Sequence, residues 1–279
     1  MDAPYALLEP LEAGVGQVLA HNPSAFTFTG TQTYLVGEAE VAVIDPGPAI
    51  PNHLAAIEAA IGGRPVVAIL CTHTHRDHSP ASRPLADRVG APIIGCAPLS
   101  IEGTGLEAGF DPDYAPDRVL RDGEAVEVDG RELIAVATPG HTSNHLCFAY
   151  GDAVFSGDHV MGWSTTVVVP PDGDMAEYIA SLEKLRQRGD RILYPAHGPP
   201  VTKPSQYVRH LIGHRMQREK QILRIVGEGP RAIPQIVGQA YPGLDPRLVL
   251  AAGGSVLAHL VDLERRGLVE RQGEQWTSR

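Results

Sequence analysis

The octapeptide Cys71-Thr72-His73-Thr74-His75-Arg76-Asp77-His78 carries the motif H-x-H-x-D-H, which places four metal-ligand side chains within six residues. It directly follows an apolar run, residues 66–70, that predicts a buried strand. On a segment that extends or turns, the first two histidines project to one side, while the aspartate and the third histidine reach toward a second ion. The motif therefore predicts a loop at a strand end that serves two metal ions.

Three further motifs supply the additional ligands that a two-metal hydrolytic site needs. Each follows an apolar, strand-like run and is flanked by Gly or Pro, so each candidate ligand is expected on a loop at a strand end. The motifs are Thr138-Pro139-Gly140-His141-Thr142, Phe155-Ser156-Gly157-Asp158-His159 and Tyr194-Pro195-Ala196-His197-Gly198. A single loop histidine is usually only solvated or hydrogen-bonded, but the four motifs together indicate a metal enzyme.

In this order the four motifs resemble those of the metallo-β-lactamase superfamily, and the match extends from about residue 35 to about residue 200. The resemblance implies an α/β fold, the four-layer αβ/βα sandwich of that superfamily, and two zinc ions per chain. It further implies that one zinc is held by His73, His75 and His141 and the other by Asp77, His78 and His197, with Asp158 bridging them. Such nitrogen-rich sites suit zinc, although the same ligands also accept iron or manganese.

The resemblance also implies a mechanism in which a hydroxide, held by two ions about 3.5 to 4 Å apart, attacks a carbonyl carbon or a phosphorus atom. Asp77 is the candidate catalytic residue, because it would orient this hydroxide and accept its proton while remaining a ligand. Asp45 follows the apolar run 41–44, where an aspartate of the superfamily supports the ligand loop. An ordinary turn residue after a strand is the equally weighted alternative for Asp45.

Two branches of the superfamily are disfavoured by single positions. Members with true β-lactamase activity generally lack an aspartate where Asp158 stands, and flavin-linked di-iron members carry a glutamate where His75 stands. The remaining candidates hydrolyse an ester, thioester, lactone or phosphodiester bond. The expected partner is thus a small-molecule ester or thioester, or single-stranded RNA if the chain is a single-strand-specific endoribonuclease.

The length of the chain predicts a second domain after the catalytic one. Residues 1–202 suffice for the sandwich, and a proline-rich stretch marks the boundary to residues 203–279. The elements expected in this tail are helices over 205–226, 232–241 and 247–266 and a hairpin over 268–277. Helix, helix and hairpin predict a winged-helix-like α+β domain, similar to the C-terminal module of the β-lactamase-like protein 2 group.

Charge is distributed unevenly between these two parts. Residues 203–279 hold 12 Lys/Arg against 7 Asp/Glu, whereas residues 1–202 hold 11 against 26. A basic appendage on an acidic body is able to recruit RNA, and a nucleic-acid-binding winged-helix protein without enzymatic activity is the alternative from another functional class. A tail that only packs on the body or forms a homodimer is the favoured interpretation, since no basic run with interleaved aromatic residues occurs.

Substrate contacts are expected from residues close in sequence to the candidate ligands. The candidates for the entrance of the pocket are His145, His159, Trp163, Thr165 and Thr166. For His145 a supporting hydrogen bond behind the ligands is an equal alternative, and for Trp163 packing against the tail.

Cysteine usage and hydropathy predict a cytoplasmic location without membrane insertion. The three cysteines, Cys71, Cys96 and Cys147, lack CxxC spacing and suit a reducing compartment. The sequence begins without a basic, apolar leader and contains no unbroken run of 18 apolar residues.

Overall fold

The computed structural model describes residues 3–99 and 109–279. The chain forms two compact units. Unit 1 comprises Met1–Thr138, Asn144–Ser164 and Asp190–Thr202, and unit 2 comprises Pro139–Ser143, Thr165–Gly189 and Lys203–Arg279. The division into two domains between residues 202 and 203 stays a prediction, because two earlier segments of the chain also belong to unit 2.

The first sheet of unit 1 has seven strands in sequence order. They are β1 (Leu8–Glu12), β2 (Val15–Leu19), β3 (Gln32–Val36), β4 (Val41–Ile44), β5 (Val66–Cys71), β6 (Ile93–Gly95) and β7 (Arg118–Val119). Strands β1 to β4 pair antiparallel and β4 to β7 pair parallel. Parallel pairing needs a crossover, which α1 (Pro51–Ile61) and α2 (Ser82–Val89) provide.

The second sheet of unit 1 has five strands in the order β12-β11-β10-β9-β8. These strands are β8 (Ala125–Val128), β9 (Arg131–Ala137), β10 (Leu146–Tyr150), β11 (Ala153–Gly157) and β12 (Ile192–Pro195). Only β11 and β12 pair parallel, so their carboxyl ends point in the same direction. Each apolar run that precedes a ligand motif is therefore a strand, as the sequence predicts.

The two sheets of unit 1 share one apolar core, and an aromatic trio links them. Tyr34 of β3 lies 5.0 Å from Phe155 of β11 and 5.7 Å from Tyr194 of β12, measured between ring centroids. The Tyr34 hydroxyl also donates to the carbonyl of Pro195 at 2.6 Å. Burial of three large rings with this hydrogen bond fixes β3 of the first sheet to the strand end that precedes His197.

Unit 2 contains the remaining regular elements. They are α3 (Met175–Arg188), α4 (Pro204–Gly227), β13 (Arg231–Ala232), α5 (Ile233–Ala240), α6 (Val249–Arg265), β14 (Val269–Gln272) and β15 (Gln275–Ser278). The three strands form a sheet in the order β13-β15-β14, and Gly273 turns the hairpin with a φ of 62°. Helices α5 and α6 with this hairpin form the winged helix that the sequence predicts, within one or two residues of the expected bounds.

Helix α6 is the centre of the winged helix. A short 3-10 turn, Pro246–Leu248, precedes α6 directly. Within the described part of the chain, the combined helix Pro246–Arg265 is the one that is long and apolar enough to cross a membrane by length and composition alone. Its side chains Val256, Leu260 and Leu263 are buried in the core of unit 2 with Trp276 of β15, so the role of a core helix explains the composition. The sequence-based expectation of no membrane segment considered only unbroken runs of 18 apolar residues. The helix Pro246–Arg265 contains no such run, but its length and mean hydropathy are those of a membrane span.

Replacing Leu260 by alanine tests the role of α6 in this core. Leu260 is fully buried, so Leu260→Ala should lower the free energy of unfolding of unit 2 by about 2–5 kcal/mol through lost burial and a residual cavity. Leu250 in the same helix is 90% exposed, and Leu250→Ala should change it by less than about 0.5 kcal/mol. Urea unfolding, monitored by amide hydrogen exchange in α6, measures the free-energy change in each variant. Equal changes in the two variants would contradict the placement of α6 in the core.

Candidate metal centre

The candidate ligands of unit 1 lie on loops at the carboxyl ends of three strands. The H-x-H-x-D-H loop follows β5, Asp158 follows β11 and His197 follows β12. Because these strands end at a common edge, ligands that are far apart in the sequence come together there. A hydrogen bond between the two sheets, from the Leu146 amide to the Thr72 carbonyl at 2.8 Å, lies beside this edge.

Asp77, His78 and His197 form one compact group, here called the Asp77 group, with their ligand atoms within 4.8 Å of one another. Asp77 Oδ2 lies 3.4 Å from His78 Nε2 and 3.2 Å from His197 Nε2. Asp158 Oδ1 approaches the same two nitrogens at 3.5 and 3.2 Å. Two carboxylates and two imidazoles thus face one small space.

His73 and His75 form a second cluster with Asp158, again with ligand atoms within 4.8 Å of one another. His73 Nε2 and His75 Nδ1 are 2.8 Å apart, and the ring of His75 stacks on Phe110 with 4.6 Å between centroids. Asp158 is therefore next to both clusters. This is the geometry that a bridging carboxylate requires, with each histidine offering a nitrogen toward the same region.

Asp45 holds the ligand loop at its two ends. Its Oδ1 accepts the Thr72 amide at 2.8 Å, and its Oδ2 accepts the Thr72 hydroxyl at 2.7 Å. The same Oδ2 lies 2.9 Å from His78 Nδ1, which fixes the proton of this ring on Nδ1 and leaves Nε2 as the ligand atom. Of the two interpretations left open by the sequence, the supporting role of Asp45 is the one that these contacts favour.

His197 and Asp77 are oriented by the segment that precedes β3. His197 Nδ1 lies 3.1 Å from the carbonyl of Gly30, so the ring donates there and directs Nε2 toward the carboxylates. The Thr31 hydroxyl donates to Asp77 Oδ2 at 3.0 Å. Both bonds connect residues that are distant in the sequence, and sequence spacing gives no signal for either.

Asp158 is positioned by His145 and by the glycine before it. The Asp158 amide donates to His145 Nε2 at 3.2 Å, and His145 Nδ1 lies 2.9 Å from the Thr138 hydroxyl. Gly157 has a φ of 50°, and a Cβ there would lie 2.7 Å from His145 Nε2 and 2.8 Å from the Thr72 hydroxyl. His145 is 1% exposed, so these contacts favour the supporting role over the pocket role that the sequence left open.

The buried charges of this centre stabilise each other. Burial alone would raise the pKa of Asp77 and Asp158, but the positive charges of His78 and His197 outweigh burial and hold both values well below the usual range. Burial alone would lower the pKa of His197, yet Asp158 and Asp77 raise it to about 10. A metal ion would take the place of the protons on these rings, so binding releases protons and strengthens as the pH rises.

A metal ion fits the donor set that these residues present. His78 Nε2 is buried and has no hydrogen-bond partner in the described part of the chain, although it faces two carboxylates. An unpaired buried nitrogen is costly unless another species occupies the space in front of it. Imidazole nitrogens and carboxylate oxygens directed at one point suit zinc, and they also accept iron.

The other predicted site residues have distinct positions. His141 belongs to unit 2, where its Nδ1 lies 2.7 Å from the carbonyl of Val167, and its role as a ligand stays a prediction. Thr165 and Thr166 also belong to unit 2, and the buried Thr166 accepts a hydrogen bond from Arg215 at its carbonyl. His159 is fully buried in unit 1, with its ring centroid 5.8 Å from that of His145.

Trp163 differs from these residues because it reaches solvent. It is 36% exposed and stacks on Phe28, which is 44% exposed, with 5.0 Å between ring centroids. Its indole also approaches Gly198, the residue after the ligand candidate His197, since a Cβ on Gly198 would lie 3.0 Å from the Trp163 ring. Sequence reasoning named Trp163 but missed Phe28, which lies 135 residues earlier and carries no motif.

The fold and the site define an α/β-sandwich hydrolase of a kind that usually depends on metal ions. The chain belongs to the metallo-beta-lactamase superfamily, whose model matches residues 26–197. The model of the beta-lactamase associated winged helix domain matches residues 232–276. The sequence-based fold prediction, a sandwich of this superfamily followed by a winged helix, is therefore confirmed.

Individual relatives support the same assignment. The chain is 32% identical to a beta-lactamase-like protein 2 homolog from Caenorhabditis elegans over 94% of this chain and 88% of that protein. It is 34% identical to an atrochrysone carboxyl ACP thioesterase from Aspergillus fumigatus over 77% of this chain and 66% of that protein. A metallo-beta-lactamase family protein from Thermus thermophilus shares the fold, with a TM-score of 0.80, 24% identity and coverage of 97% of this chain and all of the other.

Removing the Asp45 carboxylate charge tests its role in the centre. Asp45→Asn should weaken zinc binding about 10- to 100-fold, because His78 and the Thr72 hydroxyl lose their charged acceptor. Competition with a chromophoric chelator measures the affinity, and Asp152→Asn, at an exposed surface ion pair, is the matched control. Unchanged zinc affinity in Asp45→Asn would contradict the proposed support.

Adding a methyl group at Gly157 tests the packing behind Asp158. Gly157→Ala should displace Asp158 and weaken metal binding, because the new Cβ would clash with His145 and Thr72 in addition to straining a positive φ. Gly130→Ala separates the two causes, since Gly130 has a φ of 68° with no atom within 4 Å of its Cβ position. Thermal unfolding should show a loss of stability in both variants, because both place a side chain at a positive φ. Metal titration should show weaker binding only in Gly157→Ala. An equal loss of metal affinity in Gly130→Ala would refute the steric explanation.

Proposed function

We propose that this protein is a two-metal hydrolase that cleaves thioesters, with the two clusters around Asp158 as its metal centre. The observation that carries this proposal is the convergence of two carboxylates on the ring nitrogens of His78 and His197 in a buried site. When bound, divalent ions supply a Lewis acid and lower the pKa of water. The reaction consumes one water and yields a carboxylic acid and a thiol.

The protein residues have separate roles in this proposal. His73 and His75 would hold one zinc, together with His141, and the Asp77 group would hold the other. Asp158 would serve as a ligand shared by both. Asp77 would orient the attacking water and accept its proton while remaining a ligand.

A thioester suits this centre better than the other candidate bonds. A thiol has a pKa of about 8.5, so the thiolate departs without a proton and the reaction needs no general acid. The similarity to an ACP thioesterase supports the same bond type. The exposed stack of Phe28 and Trp163 near His197 offers a flat apolar surface, which supports an acyl group with an apolar chain or ring as the substrate.

Single-strand-specific RNA cleavage is the second candidate, and the excess of basic residues over 203–279 is the observation that favours it. An RNA phosphodiester has an alkoxide leaving group that needs a proton, which makes it the more demanding substrate for a site built on carboxylates and metal-bound histidines. The winged helix would then bind RNA through its positive charge.

Thiol release from acyl-coenzyme A and acyl-pantetheine thioesters tests the proposal directly. Zinc-loaded protein should release thiol in an Ellman assay, and Asp77→Asn and His75→Ala should each lower kcat/KM by at least about 100-fold. The surface variant Asp152→Asn should retain the full rate. Thiol release that survives His75→Ala at the original rate would exclude this centre as the catalyst.

A labelled single-stranded RNA assayed beside the thioesters distinguishes the two candidates. Cleavage of RNA that disappears in His75→Ala, without thioester hydrolysis, would replace the thioesterase proposal with the ribonuclease one. A parallel preparation of His75→Ala also controls for contaminating ribonuclease, because such contamination would persist in the variant.

The aromatic stack makes a separate prediction about specificity. Trp163→Ala should raise KM for aromatic or long-chain acyl thioesters about 3- to 10-fold, the loss expected for one stacking contact, and leave acetyl thioesters nearly unchanged. Steady-state kinetics across an acyl series measures this. An equal change for acetyl and aromatic substrates would show that Trp163 does not contact the acyl group.

A further inference from the structure

A cluster of basic side chains, here called the basic cluster, lies in unit 2 where α4 packs against α6. Its members are His214, Arg215 and Arg218 of α4 and His259 of α6. Arg215 is 2% exposed and His259 is fully buried, whereas His214 and Arg218 are half-buried. The cluster therefore extends from the interior of unit 2 to its surface along one face of α4.

The basic cluster contains several buried side-chain nitrogens that have no hydrogen-bond partner. Buried nitrogens without a hydrogen-bond partner in the described part of the chain are His214 Nδ1, Arg215 Nε, Arg218 Nε, and Nδ1 and Nε2 of His259. More than about 90% of buried polar groups in proteins are hydrogen-bonded. The Nε of each arginine always donates, and the neutral His259 ring donates from one of its two nitrogens, so at least three buried donors on two helices in contact have no acceptor in the described part of the chain. An anion from outside the chain would supply one.

The basic cluster also lacks a counter-charge. Among the described residues, Arg215 and Arg218 form no ion pair: Arg215 donates to the Thr166 carbonyl, and Arg218 donates to the Ala240 carbonyl and, at 2.7 Å, to Gln221. The acids on the same two helices are engaged elsewhere, and one of them, Glu264, accepts the Arg271 amide at 3.3 Å. Glu219 and Asp262 both pair with Arg266, at 2.6 and 3.2 Å.

The two arginines lower the pKa of both histidines in the cluster. Burial and then the charges of Arg215, Arg218 and His214 lower the pKa of His259 to about 3. Burial followed by Arg215, Arg218 and His210 lowers the pKa of His214. An anion among these groups would reverse the effect of the arginines on both rings.

Both guanidinium groups are held in place by aromatic rings. The Arg215 guanidinium carbon lies 5.2 Å from the centroid of Tyr178, and that of Arg218 lies 3.7 Å from the centroid of Tyr241. Arg215 and Arg218 are three residues apart on α4, so their side chains are neighbours on the helix surface. Fixed arginines with free donors are the usual means by which proteins bind phosphate.

We propose that the basic cluster of His214, Arg215, Arg218 and His259 is a binding site for a phosphate group in unit 2. The ligand is either free phosphate or the terminal phosphate of a small organic phosphomonoester, which present the same oxygens. The site is separate from the metal centre of unit 1 and does not depend on the proposed hydrolytic function.

Calorimetry and thermal unfolding of the full-length, zinc-loaded protein test this proposal with sodium phosphate and with phenyl phosphate. Phosphate should release heat on binding and raise the unfolding temperature beyond the effect of sodium chloride at equal ionic strength. Arg218→Gln should weaken this binding at least about 10-fold, because it removes a charge from the partly exposed side of the cluster. Phenyl phosphate binding more tightly than phosphate would identify the ligand as an organic monoester, and equal affinity would identify free phosphate.

Arg209→Gln is the matched control, since Arg209 is an exposed arginine on the same helix and lies outside the cluster. It should leave phosphate binding within twofold of the unchanged protein. The ring resonances of His259, assigned with His259→Leu, provide a local readout: phosphate should raise the pKa of His259, and phosphate bound only at the metal centre would leave it unchanged.

Three results would overturn the proposal. They are the absence of heat and of stabilisation at millimolar phosphate, an equal loss in Arg209→Gln and Arg218→Gln, and a His259 pKa that does not respond to phosphate. An equal loss in both variants would show that phosphate binds to the overall positive charge of α4. An unchanged His259 pKa would show that phosphate binds at another place.

Discussion

The carboxylate of Asp45 is the fixed point on which the geometry of the metal centre depends. It accepts two hydrogen bonds from Thr72, where the ligand loop begins, and contacts His78, where the loop ends. Asp45 itself has a φ of 49°, a strained conformation for a residue with a side chain, and the three contacts hold it there. One buried carboxylate thus holds both ends of a loop that carries four candidate ligands, and it orients the ring of His78.

The pairing of the two sheets of unit 1 provides the second constraint. The first residue of β3, in the first sheet, contacts the loop after β12 in the second. The Gln32 amide donates to the Ala196 carbonyl at 2.9 Å, and its side chain donates to the Gly198 carbonyl at 2.5 Å. These bonds fix the residues on each side of His197. The distance between the two ligand clusters is therefore set by the packing of the two sheets against each other. A substitution in the trio of Tyr34, Phe155 and Tyr194 would shift this packing and, through the backbone of β3 and β12, the position of His197.

The sequence predicts the parts of this protein that depend on local patterns. Apolar runs followed by Gly or Pro locate the strands and their ligand loops, and apolar spacing locates α4 to within one residue at each end. It does not predict contacts such as Thr31 with Asp77, because these depend on how distant strands meet. For the same reason the burial of Arg215 could not be foreseen: an arginine in the middle of an amphipathic helix is normally solvated, and only the packing of α3, α4 and α6 encloses it.

The order of segments along the chain has a consequence for how such a protein is able to evolve. Unit 2 is assembled from three separate segments, and α3 within the second of them packs against α4 and α6 from the third. The winged helix is therefore not an appendage that recombination could add or delete at residue 202. A chain cut after residue 202 would leave the buried Tyr178 and Leu182 of α3 without the two helices that pack against α3, so the segments before and after residue 202 have to be inherited together.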